Sequence, residues 1–362
     1  MTARADAKRQ RAATRLWIAA AVLAALAVAA VGRDVAGRRI EIADGPALPD
    51  WSEEAVGAAL IVVTTSEETL TLERRGATWS LIERGGYAVA PDALDAFARS
   101  FAAMRRAGAS TRDSGNHVRL GVVEPSGGES AEPRPGAGVR VRVEDARGGE
   151  IADLIIGAER RGAASVPSGG GVFVRRTGEN EAFAVDGAPP DVGAPAFWLD
   201  LDLLGVARED IARVEITPEG GGLTYRVARE SRDAADFVIA EPAGAWTLMT
   251  EGAANGPGGA IATLRFVDVA PEASFRGDLV ARHSATTFDG LTVSLDIYAR
   301  GAERWVDVSA IVSAETSATT PEARSAAERL EAATRGWMYQ LPEFAGDRLA
   351  RPLDRIARPR TE

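Results

Sequence analysis

Apolar positions along the chain fall into three regimes: one long uncharged run, many short alternating stretches, and a few helical stripes. The run is residues 16–31, LWIAAAVLAALAVAAV. As a helix rising about 1.5 Å per residue it spans roughly 24 Å, a little under a ~30 Å hydrocarbon core. Leu16, Ile18, Val22, Leu23, Leu26, Val28 and Val31 supply its preference for lipid, and Trp17 stands where an interfacial aromatic anchors. Alternation begins near Ala58 and predicts strands over residues 60–64, 69–73 and 78–82, separated by polar turns. A helix follows from Pro91, with Asp92 and Asp95 near its positive end and Leu94, Phe97, Phe101 and Met104 on one stripe. Arg105 and Arg106 then stand at its negative end, with Gly108 beyond. That stripe is expected to cover one face of a sheet.

Strands return after the helix. Val139, Val141 and Val143 alternate with Arg140, Arg142 and Glu144, the pattern of a half-solvated strand. Further strands are predicted at 150–156, 171–175 and 182–185. Residues 126–138 and 158–170, rich in Gly and Pro or Ser, read as mobile loops. A short helix-like stretch at 198–204 ends this half, and the pattern then restarts: strands at 211–216, 223–228 and 237–239, then Trp246-Thr247-Leu248, mirroring Trp79-Ser80-Leu81. A helical stretch at 261–266 is the expected counterpart of the Pro91 helix, weakened by Gly256, Gly258 and Gly259. Strands at 291–298 and 305–312 complete the half. Thr320-Pro321-Glu322 then opens a helix with Ala326, Ala327 and Leu330 on one face, ending at Arg335-Gly336. A helical tail carries Leu349, Leu353 and Ile356, expected to dock on the second lobe rather than on a partner helix or membrane.

The fold class expected is therefore α+β: an N-terminal transmembrane helix followed by two similar lobes, each a mostly antiparallel β-sheet with a packed helix. The expected divisions are a cytoplasmic basic tail (1–15), the anchor (16–32), a linker (33–57), the first lobe (58–205), the second lobe as an internal repeat (206–319) and a C-terminal helical segment (320–362).

Charge orients this arrangement. Arg4, Lys8, Arg9, Arg11 and Arg15 precede the run against Asp6 alone, which favours a cytoplasmic N-terminus and an exported body. A cleaved secretory signal is the competing reading, because small residues at 25, 27 and 29 fit a peptidase site. Taking the tail's five positive and one negative groups from a net charge of −10 leaves −14 on the rest, which disfavours nucleic acid and anionic lipid headgroups as partners. There is no Cys, and Lys8 is the only lysine, so thiolate sites, Schiff-base chemistry and a phosphate-loop lysine are excluded from the body.

Several short motifs recur in a fixed order: Trp79-x-Leu81 before the Pro91 helix, Leu120-Gly121 leading to Glu124-Pro125, Trp198-Leu199-Asp200 followed by Leu203-Leu204, Phe288-Asp289-Gly290-Leu291, and Gly336-Trp337 with Gln340-Leu341-Pro342-Glu343-Phe344. In order and spacing this chain resembles a bacterial family classed as a domain of unknown function, number four-three-four-zero, over almost everything after the anchor. The resemblance implies a single-pass inner-membrane protein with a repeated periplasmic body. Its implied partners are the membrane and periplasmic components of an ABC transporter or gliding-motility-type system. It carries over no catalytic, cofactor or metal residues. This sequence departs from the family pattern in its lengthened Gly/Pro loops and in His117, where an aromatic is common.

The residues themselves offer little chemistry. His117 and His283 are far apart, with no second His or Cys at ligand spacing, and read as surface residues. No nucleophile-elbow pattern surrounds a serine. The triplets at 169–171 and 220–222 lack the Lys-Ser/Thr of a phosphate loop, and acid pairs such as Glu67-Glu68 or Asp200 with Asp202 are expected by chance in so acidic a body. The leading expectation is a non-enzymatic accessory subunit without cofactor. The alternatives are an envelope module binding a glycan, lipid or small molecule, and an uncharacterised hydrolase.

Overall fold

The computed structural model describes residues 45–127, 132–160, 170–312 and 320–360; the expected anchor at 16–31 lies outside them, as do 128–131 and 161–169 of the expected loops. No helix among the described residues is long and apolar enough to cross a membrane. The described chain is mixed α+β, built on antiparallel sheets with few helices.

Strands β1 (Gly45–Pro46), β2 (Ala58–Thr64), β3 (Thr69–Arg75), β4 (Thr78–Leu81) and β5 (Tyr87–Ala88) precede helix α1 (Pro91–Ala103). Then come β6 (Arg105–Thr111), β7 (Val139–Asp145), β8 (Glu150–Glu159), β9 (Gly171–Arg176) and β10 (Ala182–Asp186). Together the strands form one sheet in the order β1-β6-β10-β9-β8-β7-β2-β3-β4-β5. The second sheet uses β11 (Ile211–Pro218), β12 (Tyr225–Ala228), β13 (Val238–Glu241), β15 (Asp268–Pro271), β16 (Asp278–Thr287), β17 (Leu291–Arg300), β18 (Glu303–Val312) and β19 (Trp337–Gln340). Strand β14 (Trp246–Leu248) pairs apart from it with β20 (Ala357–Pro359).

The two sheets follow one path. β6-β10-β9-β8-β7-β2-β3-β4 of the first corresponds, strand for strand and in chain order, to β15-β19-β18-β17-β16-β11-β12-β13 of the second. They differ in their helices. α1 lies between β5 and β6, whereas the long helix of the second half, α2 (Pro321–Thr334), lies between β18 and β19 and packs on β17 and β18. Thr320 caps it by accepting a bond from the Ala323 amide, and Thr334 Oγ1 donates to Val308 O at 3.1 Å. The tandem Trp motifs are therefore out of step: Trp79 sits in β4, while Trp246 sits one strand beyond β13, the counterpart of β4.

Several expectations need correcting. The chain joins the first sheet at Gly45, ahead of Ala58, because Trp51 is buried against Phe97 and Phe101 and its indole N–H donates to Ala98 O at 3.0 Å. α1 stops at Ala103; Met104 turns extended and buries, and Arg105 and Arg106 belong to β6, with Arg106 lying 4.0 Å over the Phe183 ring. Only Pro195–Trp198 is helical near 198–204, since Leu199 is extended and bridges Val89. At 261–266 a 3-10 turn, Ala260–Thr263, gives way to extended chain at Leu264, which lets Phe266 stack on Tyr339 at 4.8 Å. The tail is a broken path rather than a helix: Ala345–Leu349, a 3-10 turn at Leu353–Arg355 and then β20, with Pro342 and Pro352 interrupting it. It docks on the second sheet, burying Leu349, Leu353 and Ile356.

Candidate functional site

The sheets meet where the β4–β5 edge of the first lies against β15 and β19 of the second. Gly85, at φ +66, makes the approach possible: a Cβ there would stand 2.3 Å from the Pro271 ring, closer than any side chain is tolerated. Beside it, Arg84 Nε donates to Asp268 at 2.6 Å and Arg84 Nη2 to Glu68 at 2.9 Å, so one guanidinium spans both sheets. Burial works against this charge, but the bonds to Asp268 and Glu68 win and raise the Arg84 pKa above its ordinary value. Tyr87 packs edge-on against Trp337 at 4.8 Å and donates its hydroxyl to Asp200 O at 3.3 Å; Tyr339, behind it, donates to Ala333 O at 3.3 Å. Burial pushes both phenols up, so they stay protonated donors. One hydrophobic cluster runs through this junction from Ala47 to Ala357.

Arg84→Met is expected to lower the unfolding free energy by about 2 kcal/mol, because it strands the mostly buried Asp268 carboxylate. Arg84→Lys should recover only part, lacking the fork that reaches two carboxylates. Urea denaturation of the unaltered chain and the two variants checks this; equal midpoints for the unaltered chain and R84M would mean the bridge is idle.

The motif residues divide among three places. Trp79, Leu81, Trp198 and Leu199 gather around α1: Trp198 is fully buried, its indole N–H donates to Val192 O at 2.8 Å, and its carbonyl accepts from the Ala90 amide at 2.8 Å. Trp337 and Leu341 reach the same core across the junction, Leu341 bonding Arg304 O at 2.8 Å, while Pro342 O accepts from Ala345 N. Leu120, Gly121 and the buried Pro125 lie at the far end of the first sheet. There Gly121, at φ +68, lets the turn touch Ala158, where a Cβ would meet backbone at 2.7 Å. Phe288, Asp289 and Gly290 form the β16–β17 turn, with Gly290 at φ +96 and Asp289 accepting from Thr287 Oγ1.

Both histidines are internal, which overturns the surface reading. His117 Nε2 lies 3.0 Å from Asn180 O, and its ring is almost fully covered. His283, on β16 between Ile216 and Leu295, is fully buried; its Nδ1 lies 2.9 Å from Leu349 O, and its Nε2 has no partner. A carbonyl oxygen accepts, so Nδ1 carries the proton. Burial outweighs the opposing bond to Leu349 O and holds the imidazole down at about 4. Among the described residues no three of His, Asp and Glu gather as a metal site.

Cavities accompany this frame, and two of them carry candidate chemistry. One, of about 330 Å³, lies between α1 and the first sheet and is lined by Trp51, Trp79, Leu94 and Phe97, with Arg74 and Asp95 among its polar residues. Phe97 and Phe101 are core as the stripe implied, but Leu94 is only half-buried, and here the groove is open. The other lies under the C-terminal segment and is lined by Arg304, Arg351 and Arg355. Sequence reading misses the second entirely, since its arginines come from β18 and from the irregular tail. Phe344 is also conspicuous: 71% exposed, with φ at +66, it opens the short helix Ala345–Leu349.

No curated protein and no solved structure matches this chain. A family model does, over residues 79–277, from Trp79 in β4 to the approach to β16; the motifs at 288–291 and 336–344 lie beyond the matched span. Covering more than half of the chain and including the whole β4–β15 side of the junction, that match places the protein in the family described as "Domain of unknown function (DUF4340)".

Proposed function

We propose that the protein is a membrane-anchored, non-catalytic accessory subunit of an ABC-type transport or gliding-motility-like complex, in which the duplicated body makes protein contacts on the exported side of the inner membrane. The observation that carries the reading is Phe344. A non-glycine residue in left-handed backbone costs on the order of 1–3 kcal/mol and persists where its surroundings over-determine it. Here the strained residue presents a large ring to solvent, at the end of a segment that is otherwise docked. The apolar run with its basic flank, the acidic body and the family resemblance support the same reading. So does the way Tyr87 and Arg84 engage their polar atoms inside the frame.

The test is a photo-crosslinking residue at position 344 of the full chain, with extraction in mild detergent and identification of what is captured. Transporter or motility subunits bound through position 344 are the expected result. Recovery of the chain alone, under conditions in which a control cross-link within the chain forms, would count decisively against it.

The groove beside α1 favours a second reading, an envelope module for a ligand with an apolar body. Its volume lies at the lower end of small-molecule sites and its walls are aromatic. Thermal stabilisation of the full chain by such a ligand, lost in Leu94→Trp, which fills the groove, would select this reading over the first.

A further inference from the structure

The C-terminal segment closes over one end of the second sheet and leaves a cavity of about 610 Å³. Val280 of β16 and Ile297 of β17 give it an apolar floor. Arg304, Arg351 and Arg355 surround it, and Asp347 is the one carboxylate among its lining residues.

Several arginines elsewhere in the body are tied to acids, as Arg84 to Glu68 and Asp268, Arg140 to Glu124 and Asp153 and Arg282 to Asp296, while others, such as Arg175 and Arg229, bond carbonyl oxygens; here three gather around one hollow. Arg304 Nη1 donates only to the carbonyl oxygens of Gly301 and Glu303. Among the described residues no carboxylate lies within ion-pairing distance of Arg304, Arg351 or Arg355. Three like charges around one hollow repel each other, so the arrangement is held by bonds to the surrounding backbone. The holding bonds are visible. The buried Tyr225 hydroxyl donates to Arg351 O at 2.6 Å, and burial raises the Tyr225 pKa well above its usual value, keeping it a donor. Arg304 O accepts from the Leu341 amide at 2.8 Å. The backbone that carries Arg304 and Arg351 is thus fixed on either side of the cavity.

We infer that this cavity is a binding site for a phosphate-class anion, with the guanidiniums of Arg304, Arg351 and Arg355 donating to its oxygens and the Val280–Ile297 floor taking the adjoining carbon skeleton. The terminal oxygens of a phosphate group point apart on a tetrahedron and can accept from separate forks, whereas the two coplanar oxygens of a single carboxylate favour one bidentate fork. The inference does not depend on the accessory-subunit reading and holds for a lone binder as well. The same chemistry is presented by free pyrophosphate and by a phospholipid headgroup.

Calorimetric titration of the detergent-solubilised full chain at fixed ionic strength, with inorganic pyrophosphate and separately with monomeric short-chain phosphatidylglycerol, tests it. The expected result is saturable one-to-one binding of at least one of the two, weakened about tenfold or more in R351Q/R355Q, the scale of one lost charge-assisted bond. Binding of pyrophosphate identifies a soluble ligand; binding of phosphatidylglycerol alone identifies a headgroup. R324Q/R329Q, on α2, removes the same charge elsewhere and should bind as the unaltered chain does. No binding of either anion, or an equal loss in both double variants, overturns the assignment. Both variants alter solvent-reached side chains, and circular dichroism confirms that they fold.

Discussion

Trp198→Ala is expected to lower the unfolding free energy by about 4 kcal/mol, the upper range for truncating a buried aromatic. The indole is fully enclosed, packs on Phe97 at 5.3 Å and on Phe197 at 4.7 Å, and its N–H satisfies Val192 O. Its backbone also receives the Ala90 amide just before α1, so a collapsed cavity at 198 disturbs the start of that helix as well. Trp198→Phe separates the contributions: it keeps most of the packing and strands the Val192 carbonyl, for a loss of about 1–2 kcal/mol. Urea unfolding at neutral pH measures both, and a loss under about 1 kcal/mol for the Ala variant would show that the site repacks freely.

Acidification is expected to destabilise the fold through His283 by roughly 3 kcal/mol at its limit. Above about pH 6.5 the imidazole is neutral whether the chain is folded or not, and its contribution is fully present. As pH falls, the unfolded chain takes up a proton near 6.5 that the folded chain refuses until about 4. The unfolded state therefore binds more protons across that window, and stability drops by up to ~1.4 kcal/mol per pH unit, levelling off below the folded value. Carboxylates also titrate toward the lower end, so the informative quantity is the difference from His283→Asn, which keeps a donor toward Leu349 O and cannot titrate. Denaturation midpoints should diverge with pH between 6.5 and 4 for the two proteins; parallel curves would remove His283 from the acid response.

Legibility of the fold tracks how strongly burial is written into side-chain type. Val139, Val141 and Val143 announce β7, and Pro91 with Phe97 and Phe101 announces α1, because large apolar residues fall at the right period. β16, central in the second sheet, is invisible: its inward positions include Ala281, His283 and Ala285, too small or too polar to register as an alternation. β6 escapes for the same reason, as Arg106-Ala107-Gly108 carries no apolar face. The restart of the pattern after residue 205 points correctly to a second sheet, but the Trp79 and Trp246 motifs suggest a register that the strand order does not follow. At the junction, nothing local to Arg84 or Gly85 marks a partner 184 residues away in sequence. The basic cavity is hidden likewise, since charges become a site only when a fold removes their partners.

The shared path of the two sheets also sets how they must fold. In each, a local meander of three or more strands forms from neighbours in sequence, but the sheet closes only when an early strand meets a late one: β2 with β7, pairing Thr64 with Arg140, and β11 with β16, pairing Pro218 with Ala281. Such distant pairings are slow, since loop closure precedes any reward from the contact. As the chain is synthesised, Ile61 and Val63 of β2 therefore wait, sticky and unpaired on one side, until β7 arrives, and Val214 and Ile216 repeat the wait for β16. Because both sheets follow the same strand path, the aggregation-exposed moment occurs twice, and a holding chaperone would have two windows in which to act.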